Sequence, residues 1–534
     1  MEKINLLDCT VREAPVDGLM FGEERLKQYY SSMTRTGINI VEVGFLKDTE
    51  YVPGSTYYNN PEDIVPLLPE DRGNTMFVAL IDYGRFSPER LPEYDGRSID
   101  GIRVCFKKHE WQDAVKVAEQ IKAKGYKVFF QHVDTLSYSE DEIKAVIAEV
   151  NRIEPFGYSI VDTFGSMYYS DLRRIFTLID SLLDDNIVMG FHSHNNLMMA
   201  SALSQEFVRM GSQKRRVMLD ATMLGAGRGA GNANLELVAV FLNKFFGCKY
   251  DMNEILDIID GLIPGMLRGA QWGYSIPYFI SGVHSSHVFN VKYLLSRHNI
   301  KSRDLTAIID SLDERHKKQY DYDFLEDRYI EYFSHDIDES IADRRLHELV
   351  DGKNVVVIAP GKSAQTCADS IRSFAAENNA VVIGVNSVLD GYAYDMFFYS
   401  NTNRYHQAMM TNRNSGNVTT VLTSNISAEP TSGNEFIVSY EKLIKRKWKN
   451  FDNSMILLLS LLSRYNVKSV SIAGFDGFSA KEKSYADNIL SVPDMTSSEL
   501  DLLHRETAEM LDNLMKNELA GIPVRSLTDS IYFT

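Results

Sequence analysis

Two histidines separated by a single residue, His192-Ser193-His194, close an apolar run of this chain. Residues i and i+2 of a β-strand face the same side, so the pair presents two imidazoles at one place. Such a pair can serve as buried hydrogen-bonding groups, or it can give two nitrogens to a divalent cation if a carboxylate joins it. Glu13 is a carboxylate that could join. It follows the first apolar run, and in a closed barrel the first strand neighbours the eighth and lies one strand from the seventh, where the histidines fall. Mixed nitrogen and oxygen donors at an open site suit Mn²⁺ or Mg²⁺, with Zn²⁺ also admitted. A cation held there can stabilise negative charge that develops on a substrate oxygen, as on an enolate. An enolate can also be reached through a Schiff-base lysine. The run SIVDTF at 159–164 has none, and Lys107 and Lys108 are adjacent charged loop residues, so the metal route is preferred. His132, His284 and His287 are further histidines for acid–base work or for structural hydrogen bonds.

The elements that must position these groups are eight short runs rich in Val and Ile: Ile4–Cys9, Asn39–Phe45, Thr75–Ile81, Gly101–Phe106, Lys127–Val133, Ser159–Thr163, Ile187–His192 and Val217–Thr222. Amphipathic stretches separate them at roughly 30-residue spacing, one strand and one return helix, which predicts a (β/α)8 barrel, with an open doubly wound sheet as the structural alternative. Polar residues recur at the C-terminal ends of these runs: Arg12 and Glu13, Glu42, Asp82, Lys107 to His109, His132 and Asp134, Asp162 and Thr163, the histidine pair, and Asp220. One edge carrying them all is what a barrel's catalytic rim requires.

From Asp251 to about Leu349 the pattern is helical. A break at Asp351-Gly352-Lys353 precedes a β-type run and the turn Pro360-Gly361-Lys362-Ser363, which opens a second α/β domain with further strands near Val381–Val385, Asp395–Tyr399 and Ser469–Gly474 and a helix over Asn453–Tyr465. The expected organisation is a barrel at 1–290, a helical extension at 291–350 and a Rossmann-like domain at 351–534.

In 534 residues, 44% hydrophobic and 24% charged, there is core enough for several domains, and 56 basic against 73 acidic side chains leave a net charge of −17. That field opposes nucleic acid and anionic membrane surfaces. Cys9, Cys105, Cys248 and Cys367 lie far apart without a CxxC pair, so neither a disulfide framework nor a zinc knuckle is expected. No apolar stretch has membrane-span length, and a cytoplasmic, membrane-free protein is expected, with homo-oligomerisation open.

The segments LLDCTVRE, VEVGF, VDTFG, GFHSHNN and LDATMLGAGRGAGNANLE fall in order at the ends of runs one, two, six, seven and eight. Over about residues 1 to 300 the chain thus resembles the metal-dependent aldolase and acyl-lyase barrels that include 3-hydroxy-3-methylglutaryl-CoA lyase, 2-isopropylmalate synthase and, nearest in pattern, 4-hydroxy-2-oxovalerate aldolase. The resemblance implies Glu13, His192 and His194 as metal ligands, Asn232 as a further oxygen donor, Arg12 as the enolate stabiliser and Glu42 as its anchor. It implies a 2-oxo acid such as pyruvate and an aldehyde as small-molecule partners, with Thr163 and His132 expected to bind substrate. Two positions depart from that pattern: Glu13 stands where the family has aspartate, and Val16 where the hydroxy-oxovalerate aldolases have a histidine. In YFISGVHSSHVFNV, His284 stands at the position of those aldolases' catalytic tyrosine.

The segments IAPGKS, IGVNSV leading to MFFYSNTNRY, and VSIAGFDGFS resemble the nucleotide-binding half of bacterial sialyltransferases and related Rossmann-like proteins. That resemblance would put Gly361, Ser363, Asn386, Asn401 and Asp476 near a nucleotide or nucleotide sugar; a purely structural domain is the alternative. The combined expectation is a metal-dependent aldolase in sugar-acid or surface-glycan synthesis. An acyl-CoA condensing synthase of the isopropylmalate type and a degenerate barrel in a nucleotide-sugar binding or transferase protein are the rivals.

Overall fold

The structure is a computed structural model that describes residues 2–14, 20–298, 300–334, 337–411, 418–426, 433–478 and 496–533. The eight apolar runs form eight parallel strands: β1 (Ile4–Asp8), β2 (Ile40–Leu46), β3 (Met76–Asp82), β4 (Gly101–Phe106), β5 (Lys127–His132), β6 (Gly157–Asp162), β7 (Val188–Ser193) and β8 (Val217–Ala221). Each pairs with the next, and β1 pairs with both β2 and β8, so the sheet closes into a (β/α)8 barrel. Strand alternation sorts the side chains. Leu7, Ile40, Val78, Phe129, Val188 and Met218 make one inner cluster. The intervening Leu6, Val41, Phe77, Ile102, Val128 and Phe130 join the larger core beneath the helices. Those helices, such as Trp111–Ala123, Glu140–Ile153, Tyr169–Asp180 and Ala200–Gly211, each bury an apolar stripe and face water on the other side.

One strand is irregular. Glu42 pairs with Val78 but Phe45 with Leu80, so β2 carries one extra residue between them. The slip brings Phe45 onto the same face as Glu42, which unbroken alternation would forbid. Gly44 permits it: its φ is +140°, and a Cβ there would lie 2.2 Å from the carbonyl oxygen of Thr56.

By contacts the chain divides into two units, Met1–Lys292 with Ile309–Tyr320, and Tyr293–Ile308 with Asp321–Thr534. The stretch 291–350, expected as one helical extension, is therefore shared between them. The second unit is a seven-stranded all-parallel sheet: β9 (Asn354–Ile358), β10 (Val381–Val385), β11 (Met396–Tyr399), β12 (Thr419–Thr423), β13 (Glu435–Val438), β14 (Ser469–Ala473) and β15 (Val524–Ser526). Their spatial order is β13-β12-β11-β10-β9-β14-β15, which sets the topological switch between β9 and β14. The helix Ser454–Leu462 is buried from Met455 to its end, as its sequence SMILLLSLL demands. Among the described residues no helix is long and apolar enough to cross a membrane.

Candidate metal centre

β1 ends in Asp8, and a single helical turn, Thr10–Glu13, follows directly. That turn is pinned from both sides. Asp8 accepts hydrogen bonds from the Thr10 backbone N–H at 3.2 Å and from the Tyr29 hydroxyl at 2.7 Å, and Thr10 Oγ1 accepts from the Met223 N–H at 2.8 Å. Arg12 and Glu13 are thereby fixed over the mouth of the barrel. The Arg12 guanidinium donates through Nε to Glu42 at 2.6 Å and through Nη1 to its neighbour Glu13.

Glu13 faces the two histidines. Its Oε1 lies 3.3 Å from His192 Nε2 and 3.9 Å from His194 Nε2, and the three ligand atoms lie within 4.8 Å of one another. Both rings are held from behind. His192 Nδ1 meets Asp220 at 3.0 Å, and His194 Nδ1 donates to the Asp162 carbonyl at 3.0 Å, so the Nε2 atoms are left to serve a ligand. Asn232 pairs by its backbone with His194 and gives its side-chain N–H to the Ala226 carbonyl at 2.9 Å, while its Oδ1 is buried without a partner. One carboxylate oxygen, two imidazole nitrogens and an orphaned amide oxygen form a donor set that fits a divalent cation.

Electrostatics reinforce the arrangement. Burial alone would raise the Glu13 carboxyl, but the Arg12 charge and the two histidines hold it well below the usual carboxylate range. Burial also lowers His194, to about 4, whereas for His192 the hydrogen bonds to Asp220 and Glu13 outweigh burial and move it upward.

Beneath this layer lies a residue that sequence reading overlooked. Arg103, in the middle of β4, crosses the barrel interior to contact Glu42 at 3.0 Å, Gln131 at 2.8 Å and Asp220. It ties the carboxylate that braces Arg12 to the one that orients His192. Its only sequence signal is an arginine inside the apolar run GIRVCF, at an inward position of a strand.

Other expected residues lie elsewhere. His132 is not at the substrate face: alternation places it on the helix side of β5 with Phe130. There its Nδ1 meets the Tyr158 hydroxyl, its ring packs edge-on to Tyr138 at 4.0 Å, and burial pushes its pKa down to about 3. The Thr163 hydroxyl accepts from the Asp134 N–H at 2.7 Å and so fastens one rim loop to another. His284 ends the helix Ile276–Val283 and pairs with Asp310 at 3.1 Å. His287, three residues on, lies within reach of the His194 charge. Burial, with the charges of Arg228, His194 and Lys107, lowers it to about 4. Its Nδ1 accepts the Phe289 backbone N–H at 3.2 Å, which leaves the ring proton on Nε2. Val16 lies outside the described residues.

In the second unit the turn after β9 does meet the end of β14 at the switch point, yet its groups are spent on one another. Asp476 accepts from the Ser363 N–H at 2.9 Å and from the Ser363 hydroxyl, so a side chain of the protein occupies the place expected for a phosphate. A Cβ at Gly361 would lie 2.3 Å from the Gly474 carbonyl oxygen and 2.6 Å from the Asp476 carboxyl carbon; this glycine serves packing, not ligand approach. Asn386 accepts the Ser400 N–H at 3.0 Å, and Asn401 caps the helix Thr402–Met410 through the Arg404 N–H at 3.1 Å. Each of the five residues thus has a packing or hydrogen-bonding role within the unit's own fold.

A barrel of eight parallel strands with a carboxylate–histidine trio and a braced arginine on its C-terminal rim is the class of protein that fold and site define. Residues 105–260 match the HMGL-like family model. The chain is 28% identical to the oxaloacetate decarboxylase of Mycobacterium tuberculosis over 228 residues, which is 42% of this chain and 65% of that one. It is 23% identical to 4-hydroxy-2-oxovalerate aldolase 2 of Comamonas testosteroni over 327 residues, 57% of this chain and 87% of that one. Among solved structures, the HMG-CoA lyase from Brucella melitensis is similar with a TM-score of 0.38 and 14% identity, covering 48% of this chain and 95% of the lyase. The chain spans 65% of the mycobacterial protein and 47% of the 4-hydroxy-2-oxovalerate aldolase of Moorella thermoacetica, so it shares only part of these relatives' length.

Proposed function

We propose that the barrel is a divalent-metal-dependent lyase that makes or breaks the carbon–carbon bond between the enolate of pyruvate, or a related 2-oxo acid, and an aldehyde. The observation that carries this reading is the contact of Arg12, braced at 2.6 Å by Glu42, with the Glu13, His192 and His194 trio. A cation held by Glu13, His192 and His194, with Asn232 Oδ1 as a further donor, would polarise the 2-oxo acid carbonyl. Arg12 donates to the same oxygen as it gains charge, and Glu42 keeps the guanidinium from turning away. In the condensing direction the enolate carbon attacks the aldehyde carbon, one carbon–carbon bond forms, and the aldehyde oxygen takes a proton; His287 presents its Nε2–H to that oxygen. Cleavage is the reverse, releasing the 2-oxo acid and the aldehyde.

The similarity to an oxaloacetate decarboxylase favours a second reaction, loss of CO₂ from a 2-oxo diacid, because it passes through the same enolate and asks the same of Arg12. Purified protein should bind about one divalent cation per chain and release pyruvate from a 4-hydroxy-2-oxo acid or from oxaloacetate only when metal-loaded. Replacing His192 and His194 by alanine should abolish both metal binding and turnover. Full activity in excess chelator would overturn the metal reading, and metal binding without pyruvate from either substrate would overturn the lyase reading.

A further inference from the structure

Most cations near the rim are committed to carboxylates: Arg12 to Glu42, Lys108 to Glu142 at 2.7 Å, Lys318 to Asp134 at 3.1 Å, and Arg90 to Asp48. Three are not. Lys47 directly follows β2, Lys107 directly follows β4, and Arg228 lies in the loop after β8, so all three leave the C-terminal ends of strands. Among the described residues none of the three has a carboxylate within ion-pair distance.

Lys47 and Arg228 stand against aromatic rings instead. The Lys47 ammonium stands 4.0 Å from the Tyr57 ring centre and 4.9 Å from that of Phe45, and these two rings stack on each other. Phe45 is the residue that the β2 bulge turns inward, and the Arg12 guanidinium lies 6.0 Å from the same ring. One aromatic ring therefore separates the enolate-stabilising arginine from an uncommitted lysine. Arg228 lies 5.9 Å from the Phe289 ring, which packs on His287 at 4.9 Å. The Arg228 charge is felt at both Lys47 and His287, and those of Lys107 and His194 at His287. Asp82 also faces Lys47, but it is shared with Arg85 at 3.7 Å. In a chain of net charge −17, three cations without carboxylate partners beside the reacting centre, Lys47 half-buried and Lys107 and Arg228 exposed, offer their charge to an anion from outside.

We propose that Lys47, Arg228 and Lys107 form an anion subsite for the far end of the acceptor, so that the aldehyde taken by this barrel carries a phosphate or a carboxylate. The inference rests on the lyase reading and specifies its acceptor. The enolate end is held at Arg12 and the metal residues, the reacting carbonyl lies beside His287, and the anionic tail reaches past Phe45 to the three cations. A neutral aldehyde would leave those charges unanswered.

The test uses the metal-loaded full chain with pyruvate and three acceptors: glyceraldehyde 3-phosphate, succinate semialdehyde and glyceraldehyde. At least one anionic acceptor should exceed glyceraldehyde about tenfold in kcat/KM, and which one does so distinguishes phosphate from carboxylate. Lys47→Gln and Arg228→Gln should each raise KM for that acceptor about tenfold with kcat nearly constant, Lys47→Arg should restore it, and KM for glyceraldehyde should move far less. Equal use of all three acceptors, or equal loss on all three in the variants, overturns the subsite. Exchange of the pyruvate methyl protons in D₂O reports enolate formation without any acceptor. Exchange without anion preference rejects the subsite and leaves the lyase reading in place. If there is no exchange, the lyase reading fails, and calorimetric titration of glyceraldehyde 3-phosphate decides the subsite: binding lost in Lys47→Gln sustains it, and absence of binding overturns it.

Discussion

At the scale of single residues, Glu13 reaches the two histidines although it is one methylene longer than the aspartate of the resembled pattern. Arg12, Glu13, Glu42, His192 and His194 could be picked out of the sequence because a short strand leaves little freedom: type, spacing and strand end locate them together. Arg103 could not, since a charged residue within an apolar run reveals its partners only when the strands close around it. His132 was misplaced for want of a parity count, because Gln131, facing Arg103, puts its successor on the opposite side of β5. That position has a measurable result. The His132 pKa falls from 6.5 to about 3 on folding, so the folded state prefers the neutral ring. The stability this provides is present above pH 6.5 and is lost as pH falls from there toward 3, at about 1.4 kcal/mol per pH unit. His132→Gln should flatten the decline of the melting temperature between pH 6.5 and 4; an unchanged slope would place the titrating group elsewhere.

At the scale of elements, the eight barrel strands were legible to within two residues because each is buried on both faces and reads as an unbroken apolar run. In the second unit Thr419–Thr423, Glu435–Val438 and Val524–Ser526 were not, since their polar and short sequences do not stand out from loops. The loop after β8 shows what a glycine-rich motif does here. Gly231 has φ +86°, and a Cβ on it would lie 1.9 Å from the Gly225 carbonyl oxygen, the group that accepts the Asn232 N–H at 3.0 Å. Gly231→Ala must therefore open the loop exactly where Asn232 is held against His194. We expect metal affinity to fall about tenfold while the circular dichroism of the barrel persists. Unchanged affinity would mean that Asn232 is not a donor.

At the scale of the whole molecule, the first unit is discontinuous in sequence, because Ile309–Tyr320 returns to it after Tyr293–Ile308 has joined the second. The return is secured by Asn290, a buried side chain whose Nδ2 lies within hydrogen-bond distance of the carbonyl oxygens of His316 at 3.0 Å, Lys317 at 3.2 Å and Gln319 at 3.2 Å, and by the His287 N–H donating to Lys317 at 2.8 Å. No composition shift marks such a crossing, so the sequence suggested one helical linker instead. Asn290→Ala removes a buried donor from the His316 and Gln319 carbonyls and should lower stability by about 2 kcal/mol. Its melting transition should move down while that of Asn290→Asp moves less. Equal melting of Asn290→Ala and wild type would show that the return segment is held by other contacts.

The same discontinuity sets an order of events on the ribosome. The last barrel strand is complete at Ala221, but the segment that backs His287 ends at Tyr320, roughly a hundred residues later. At ordinary translation rates that is an interval on the order of 5–20 s. A nascent chain can thus bring Glu13, His192 and His194 together before His287 and the segment behind it have been synthesised.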